Sequence, residues 1–385
     1  MGRVAYHRLN YFRQRPRAPF PLMSSPFNRI TVDGVTHRDA DVLRWADELV
    51  EGHGGGVWTT DVRSTLRGLV GEGELKAHTS GTTGAPRPHA FSAADVVASA
   101  NLTRDAFGLL PGDRALLCLP CEFVGGKMML ARAMLLGLDL HANDPRGGVL
   151  RNLRTMDRFR FAALIPMQLY TAVQQDRALV EERFDTILLG GGPVGRDLIA
   201  MLRDLRTCVV LGYGSTETLT HVALRPLNGP DASELYTAQG DVTFAQSEDG
   251  RLVIRTPHLS VKEHVTNDAA ELLDERRMRW LGRRDNVILS GGRKIHPKRL
   301  EAMTAGIIPY PHFFAALPDQ RLGQAVVLVL ETGSGADRIP PGTLESLKGV
   351  LYEHERPRRA FALREFTRTG TGKVDRTGTL ALVAG

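Results

Sequence analysis

Apolar positions along the chain fall into two alternating rhythms. Short apolar runs at Ala115–Pro120, Leu138–His141, Phe161–Ile165, Thr186–Leu189 and Thr207–Leu211 have the length of buried strands. Between and beside them, Ser92–Phe107, Gly126–Leu136, Asn152–Arg158, Gln168–Gln175 and Arg196–Leu205 carry helical patterns. Ser92 suits an N-cap with Asp95 at the third helical position, and Gly137 supplies a C-terminal stop. Strands alternating with helices of about ten residues predict parallel βαβ units. Ligands in such sheets gather at the carboxyl ends of the strands. Two strands end in glycine turns, Gly190-Gly191-Gly192-Pro193 and Gly212-Tyr213-Gly214, which marks both as candidate site loops.

The flanks have a different texture. Residues 30–75 read as short helices with a loop at Gly52–Gly56. From about residue 238 the pattern turns β-rich, with strands at Asp241–Phe244, Arg251–Arg255 and Ala270–Leu273 and a hairpin turn at Glu248-Asp249-Gly250. Beyond Gly282-Arg283 the chain predicts a compact α+β section containing a strand at Ala325–Leu330 and a flexible loop at Thr332–Pro341. There are no internal repeats. The expected fold class is α/β: a large N-terminal domain with a parallel sheet and a small β-rich section, then a small mobile α+β domain. The expected boundaries are 1–23 for a leader, 24–283 for the large domain and 284–385 for the small one.

Composition narrows the class. With 42% hydrophobic and 24% charged residues, the 385-residue chain has the make-up of a soluble globular protein. Its nearest approach to a membrane span, around Val149–Tyr170, is interrupted by arginines. The net charge of +6 is concentrated in the leader, where Arg3, Arg8, Arg13, Arg15 and Arg17 stand without an acid. The rest is nearly neutral, which argues against a nucleic-acid partner. An Arg-rich, acid-free leader resembles a transit sequence. Pro16, Pro19 and Pro21 and the lack of an amphipathic helix favour a disordered extension, or a start at Met23. Three cysteines, Cys118, Cys121 and Cys208, suit a reducing, cytoplasmic compartment. Cys118-Leu119-Pro120-Cys121 has redox spacing but reads as structural.

Four loops carry chemistry. Thr79-Ser80-Gly81-Thr82-Thr83-Gly84-Ala85-Pro86-Arg87 can wrap a polyphosphate with backbone and hydroxyl donors, and Arg87 adds a fixed positive charge. Gly212-Tyr213-Gly214-Ser215-Thr216-Glu217 offers a flat ring to a base, a hydroxyl at Thr216 to a phosphate and a carboxylate at Glu217 to a hard cation such as Mg²⁺. Thr266-Asn267-Asp268 and Gly282-Arg283 supply an acid for paired hydroxyls and a base for phosphate or ribose. Arg368-Thr369-Gly370-Thr371-Gly372-Lys373 presents a lysine that can approach and leave a developing charge. Each loop alone also fits a linker, a solvated turn or a surface ion pair.

Together and in this order, the four loops resemble the adenylate-forming superfamily of acyl-CoA synthetases, nonribosomal adenylation domains and luciferases. The resemblance spans roughly residues 76–376. It implies ATP and Mg²⁺ as cofactors, a small-molecule carboxylic acid and coenzyme A as co-substrates, and a fold shortened at its N-terminus. It further implies that Thr79–Arg87 is the phosphate loop, although lysine is more usual at Arg87. Nucleotide contacts would come from Gly191, Gly192, Pro193, Tyr213, Gly214 and Thr216, ribose contacts from Asp268 and Arg283, and metal binding from Glu217. Asp285 matches the pivot of a hinge, Gly291-Gly292-Arg293-Lys294-Ile295 the segment that swings in for a second half-reaction, and Lys373 the adenylation lysine.

A narrower resemblance, to the o-succinylbenzoate–CoA ligases of menaquinone biosynthesis, rests on four stretches. They are Phe123–Ala133, Gly190–Val194, Tyr213–Leu224 and Thr266-Asn267-Asp268, with Ile288–Pro297 in agreement. Such an acid carries a second carboxylate, for which Lys127, Arg132 and His221 are the candidate partners. Lys127 and Arg132, five apart on the predicted helix, also fit a solvated face. Three other readings stay open: a ligase for another aryl or short acyl acid, transfer to a carrier-protein phosphopantetheine, and a non-catalytic nucleotide-binding module. A homo-oligomer is compatible with the chain.

Overall fold

The computed structural model describes residues 25–78, 88–192, 194–283, 287–290, 293–319, 322–333, 338–369 and 373–383. The leader at 1–23, the whole Thr79–Arg87 loop, Pro193, Asp285, where the hinge was expected, and the pair Gly291-Gly292 lie outside them. The chain divides into two compact units. The first holds the residues up to Phe244 together with Ile254–His264 and Asp274–Arg277, and the second holds Ala245–Val253, Val265–Leu273 and the chain from Met278 onward.

The first unit begins with a hairpin, β1 (Arg29–Val32) and β2 (Val35–Arg38), where short helices were expected. The signal for it is Asp33-Gly34. Both residues take positive φ (47° and 83°), as a two-residue hairpin turn requires. Helices α1 (Ala40–Gly52) and α2 (Val57–Arg67) follow. Strands β3 (Glu74–His78) and β4 (Pro88–Ser92) pair antiparallel on either side of residues 79–87. The expected cap of α3 (Ala93–Phe107) is present in full. Ser92 accepts from the Asp95 N–H and the Asp95 carboxylate accepts from the Ser92 N–H.

The alternation then runs β5 (Arg114–Leu117), α4 (Val124–Leu136), β6 (Asp139–Ala142), β7 (Phe161–Leu164), α5 (Pro166–Arg183), β8 (Thr186–Leu189), α6 (Arg196–Leu202), β9 (Cys208–Gly214), β10 (His221–Pro226) and β11 (Tyr236–Ala238). In the sheet the order is β11-β10-β9-β8-β7-β5-β6-β1-β2. The run from β9 through β8, β7, β5 and β6 to β1 is parallel. Every residue of β7 and β8 is buried, as strands covered on both faces must be. Gly137 ends α4 in the left-handed conformation, φ 68°. Phe107, Met129, Leu130, Phe161, Val210 and Leu224 belong to the core of this unit.

One expectation along this stretch fails and another is exceeded. Asn152–Arg158 is not a helix: Asn152 is left-handed (φ 63°), and the Arg154 N–H donates to the Asp157 carboxylate at 2.6 Å to form a turn. The helix expected at Gln168–Gln175 extends over all of α5 because Asp176, non-helical itself, accepts from the Leu179 N–H at 2.9 Å and starts a second helical segment.

Strands β12 (Thr243–Gln246), β13 (Leu252–Arg255) and β14 (Glu263–Val265) form a three-stranded sheet, and Gly250 (φ 78°) makes the predicted hairpin turn. In the second unit β15 (Asp268–Leu272) and β16 (Arg277–Arg283) pair antiparallel. The remaining strands are β17 (Ile288–Ser290), β18 (Arg293–Ile295), β19 (His312–Asp319), β20 (Gly323–Glu331) and β21 (Arg359–Leu363). They form one sheet in the order β18-β17-β20-β19, with β21 parallel to β20. Helix α7 (Pro297–Thr304) contributes Leu300 to a core with Ile288, Phe314, Val326 and Leu328. The short helices α8 (Thr343–Ser346) and α9 (Arg376–Ala381) complete the unit.

Candidate active site

The carboxyl ends of β8 and β9 lie side by side, with Leu189 in register with Leu211. They deliver Gly190–Gly192 and Gly212–Gly214 to the same end of the sheet. The second pair of glycines is demanded by packing. A Cβ on Gly214 would stand 2.1 Å from the Thr220 carbonyl oxygen, and one on Gly212 would stand 3.0 Å from the His221 Cβ. Strand β10 therefore approaches β9 so closely that only glycine fits. Between the strands the chain makes a tight turn. The Ser215 N–H donates to the Thr218 hydroxyl at 2.9 Å, and that hydroxyl lies 2.9 Å from the Thr220 carbonyl oxygen. Thr218 and Leu219 are buried and anchor the turn, while Glu217 is exposed at its tip. The Tyr213 ring meets Tyr236 edge-on, with centroids 5.6 Å apart.

A polar layer grips this turn from behind. Arg132, on α4, is 2% exposed. Its Nε donates to the Thr103 hydroxyl at 3.0 Å and its Nη2 to the Thr220 hydroxyl at 2.7 Å. Among the described residues no carboxylate stands within ion-pair distance of it, and burial pushes its pKa down to about 10. The Thr220 hydroxyl in turn lies 3.2 Å from the His221 Nδ1. Burial, and then the Arg132 charge, hold His221 well below the ordinary histidine range, so its ring is neutral. The His221 Nε2 is buried without a hydrogen-bond partner among the described residues.

Lys127 stands at the start of α4, half-buried. Burial lowers its pKa against the pull of Cys121, Asp61 and Glu122. Gly126 beside it is a packing requirement, since a Cβ there would lie 2.4 Å from the Pro120 carbonyl oxygen. Cys118 and Cys121 are free and buried, and burial pushes the Cys118 thiol up to about 12. A redox role is therefore not supported, because the thiolate is the reactive form.

In the second unit, Asp268 and Arg283 face each other across the β15–β16 ladder. The Thr266 hydroxyl accepts the Asp268 N–H at 3.1 Å and donates to the Leu252 carbonyl at 2.9 Å, which fixes the approach to Asp268. Lys373 closes a loop: its carbonyl accepts from the Thr369 N–H at 2.8 Å, and Arg368 bridges to Val374. Burial depresses the pKa of the Lys373 ammonium.

A protein-family model described as AMP-binding enzyme matches residues 77–258. A probable 2-succinylbenzoate–CoA ligase of Mycobacterium tuberculosis is 31% identical over 336 residues, covering 81% of this chain and 85% of that protein. The chain belongs to the AMP-binding enzyme family. Among solved structures, this AMP-binding enzyme is similar to an acyl-CoA synthetase (AMP-forming)/AMP-acid ligase II-like protein from Dyadobacter fermentans. That protein is 34% identical at a TM-score of 0.56, with 85% of this chain and 94% of that one covered. It shares its fold with the O-succinylbenzoate Coenzyme A Synthetase of Bacillus subtilis in complex with ATP and magnesium ion. There the identity is 20% and the TM-score 0.67, over 79% of this chain and 69% of that one.

Several residues around the candidate site carry no mark in the sequence. Thr103 and Thr220, which receive Arg132, are ordinary threonines in the sequence. His264 is held below its usual value by burial, against the opposing charge of Glu217 and with the help of His89. The His89 Nε2 is buried without a hydrogen-bond partner among the described residues. No local pattern marks these histidines, because Glu217, His89 and His264 come together only through the fold.

Proposed function

We propose that this enzyme joins a carboxylic acid to ATP as an acyl-adenylate and then passes the acyl group to the thiol of coenzyme A, with o-succinylbenzoate as the acid. The observation that carries the reading is the strand-end turn. Gly212 and Gly214 permit β10 to close on β9, Arg132 and Thr220 lock the turn from behind, and Glu217 is left exposed at its tip. The acid is suggested by the stretches resembling o-succinylbenzoate–CoA ligases and by the Mycobacterium tuberculosis relative.

In the first step the acid's carboxylate attacks the α-phosphorus of ATP and pyrophosphate leaves. Two like unit charges about 4 Å apart repel by roughly 4 kcal/mol at an effective dielectric of about 20, so the chain must supply positive charge. Arg87 and Lys373 are the residues for this task. Mg²⁺ would be held by Glu217 together with the nucleotide's phosphates, where it would neutralise phosphoryl oxygens. Thr79 to Gly84 would wrap the phosphates. Gly191, Gly192, Pro193, Tyr213, Gly214 and Thr216 would seat the adenine end, and Asp268 and Arg283 the ribose. Rotation about Asp285 would then withdraw Lys373 and admit the thiol. In the acid pocket Lys127 is the candidate to meet the second carboxylate directly. Arg132 and His221 shape the pocket from beneath.

Pyrophosphate exchange with a panel of acids tests the reading. Exchange with o-succinylbenzoate well above that with benzoate, succinate and short acyl acids is expected. Stronger exchange with one of the others would reassign the acid, and exchange with none would favour a non-catalytic nucleotide-binding module.

A further inference from the structure

One carboxylate of the second unit gathers two cations. Glu301, on α7, is 13% exposed. Lys298 Nζ donates to its Oε2 at 2.8 Å, and Arg376 Nη2 donates to the same oxygen at 2.8 Å. Arg376 Nη1 lies 2.7 Å from the other oxygen, and the Phe314 N–H donates to that oxygen at 3.3 Å. The Arg376 guanidinium rests over the Phe313 ring, 5.1 Å from its centroid. Burial works to raise the Glu301 carboxyl, but Lys298 and Arg376 outweigh it and hold the group below its ordinary range. The acid is therefore an anion at neutral pH.

The two cations lead to different places. Arg376 lies three residues beyond Lys373, at the first turn of α9. The segment between them is pinned at both ends. Thr369 and Arg368 close the loop on Lys373 and Val374, while the Asp375 N–H donates to the Thr367 carbonyl at 2.7 Å. Lys298 leads toward the end of β16. A Cβ on Gly282, whose φ is +117°, would stand 3.0 Å from the Lys298 Cγ, so the lysine stem lies directly on that glycine. Gly282 is three residues before Asp285.

We propose that Glu301 is a positioning residue for Lys373: through Arg376 and Lys298 it ties the lysine-bearing segment to the strand that leads into the hinge. The proposal rests on the reading of Lys373 as the adenylation lysine. A lysine misplaced by about 1 Å costs a reaction of this kind on the order of a hundredfold. Loss of Glu301 also leaves Lys298 and Arg376 as two uncompensated charges in a largely dry setting, which drives Arg376 and its segment away.

The test measures the two half-reactions separately in the full chain. Glu301→Gln is expected to slow acyl-AMP formation about tenfold to a hundredfold. Thioester formation from supplied acyl-AMP should stay within about threefold, a half-reaction from which Lys373 is withdrawn. Arg376→Lys keeps the charge but loses the two-point contact, so it should show the same asymmetry at about a third of the size on a logarithmic scale. Should Glu301→Gln fail to fold, as judged by circular dichroism, Arg376→Lys carries the test. Equal loss of both half-reactions, or no loss of the first, overturns the proposal. Lys373→Ala separates the two levels. If it spares acyl-AMP formation, the reading of the lysine falls. If it abolishes that step while Glu301→Gln and Arg376→Lys do not affect it, only the positioning role falls.

Discussion

At the scale of single residues, Gly214 and Lys373 make opposite demands on their surroundings. Gly214 needs empty space. Gly214→Ala places a methyl group 2.1 Å from the Thr220 carbonyl oxygen, and a backbone atom cannot yield as a flexible side chain can. A loss of about 1–3 kcal/mol in stability is expected from thermal or urea unfolding, together with a raised KM for ATP in pyrophosphate exchange. In its proposed role Lys373 needs a proton, and burial weakens its hold on one. As pH rises through the lowered pKa the ammonium is lost. Acyl-AMP formation should therefore decline on the alkaline side at lower pH than an ordinary lysine would permit. Thioester formation from supplied acyl-AMP should show no such limb. Coincident alkaline limbs for both half-reactions would contradict this. The sequence marked both residues but did not show the packing demand on Gly214, because the closeness of β10 is a matter of register. Arg132 shows a signal that was present and unused. Met128, Met129, Leu130, Ala131, Ala133 and Met134 surround it, and a helix apolar on all sides is a buried helix. The arginine could not have been solvated there.

Among the elements, α3 shows how far a local pattern carries. Ser92 and Asp95 announce its cap, and the structure contains it. The sequence does not show that the same carboxylate also accepts from the Ser260 N–H at 2.6 Å and the Ser260 hydroxyl at 2.9 Å, across 165 positions. Asp95 is 5% exposed. Burial would raise its pKa, but the hydrogen bonds from Ser260 and Ser92 more than offset this and leave it lowered. Asp95→Ala is expected to destabilise the enzyme by about 2–3 kcal/mol, more than the roughly 1 kcal/mol of a helix cap alone. Because the folded pKa lies below the unfolded one, this contribution is complete above the unfolded value of about 3.9 and disappears as pH falls through the folded value. Urea unfolding between pH 2 and about 6 would show the loss in the parent and a flatter profile in Asp95→Asn. The hairpin at Asp33-Gly34 had an equally local signal in its turn residues, yet the stretch was read as short helices. The Asn152–Arg158 turn was not, since its decisive contact is a side chain on a backbone N–H three positions away.

For the molecule as a whole, the alternation of strand and helix established the class, and the order of four loops pointed to the chemistry. Neither depended on composition, which would have suited many enzymes. The cluster of Lys298, Glu301 and Arg376 lay beyond such reading, because two of its members belong to one helix and the third is 75 positions away. The proposed hinge at Asp285 rests on the family resemblance of the surrounding sequence. Asp285→Pro fixes φ near −65° and removes a backbone donor at the pivot position. It is expected to slow thioester formation at least about tenfold while acyl-AMP formation changes by less than about threefold. Single-turnover measurements of each step would check it, and an undiminished second step would remove Asp285 from the role of pivot.

The buried thiols have a practical consequence for testing the proposed rotation. Cys118 and Cys121 are sealed in the first unit, and burial holds Cys208 at about 11, so at neutral pH scarcely any native sulfur is in the form that maleimides attack. The parent protein is thus a nearly silent background for fluorophores. A cysteine introduced at Met156, which is 88% exposed, and another at Leu382, which is 63% exposed, would take a donor and an acceptor dye without first stripping the chain of its own cysteines.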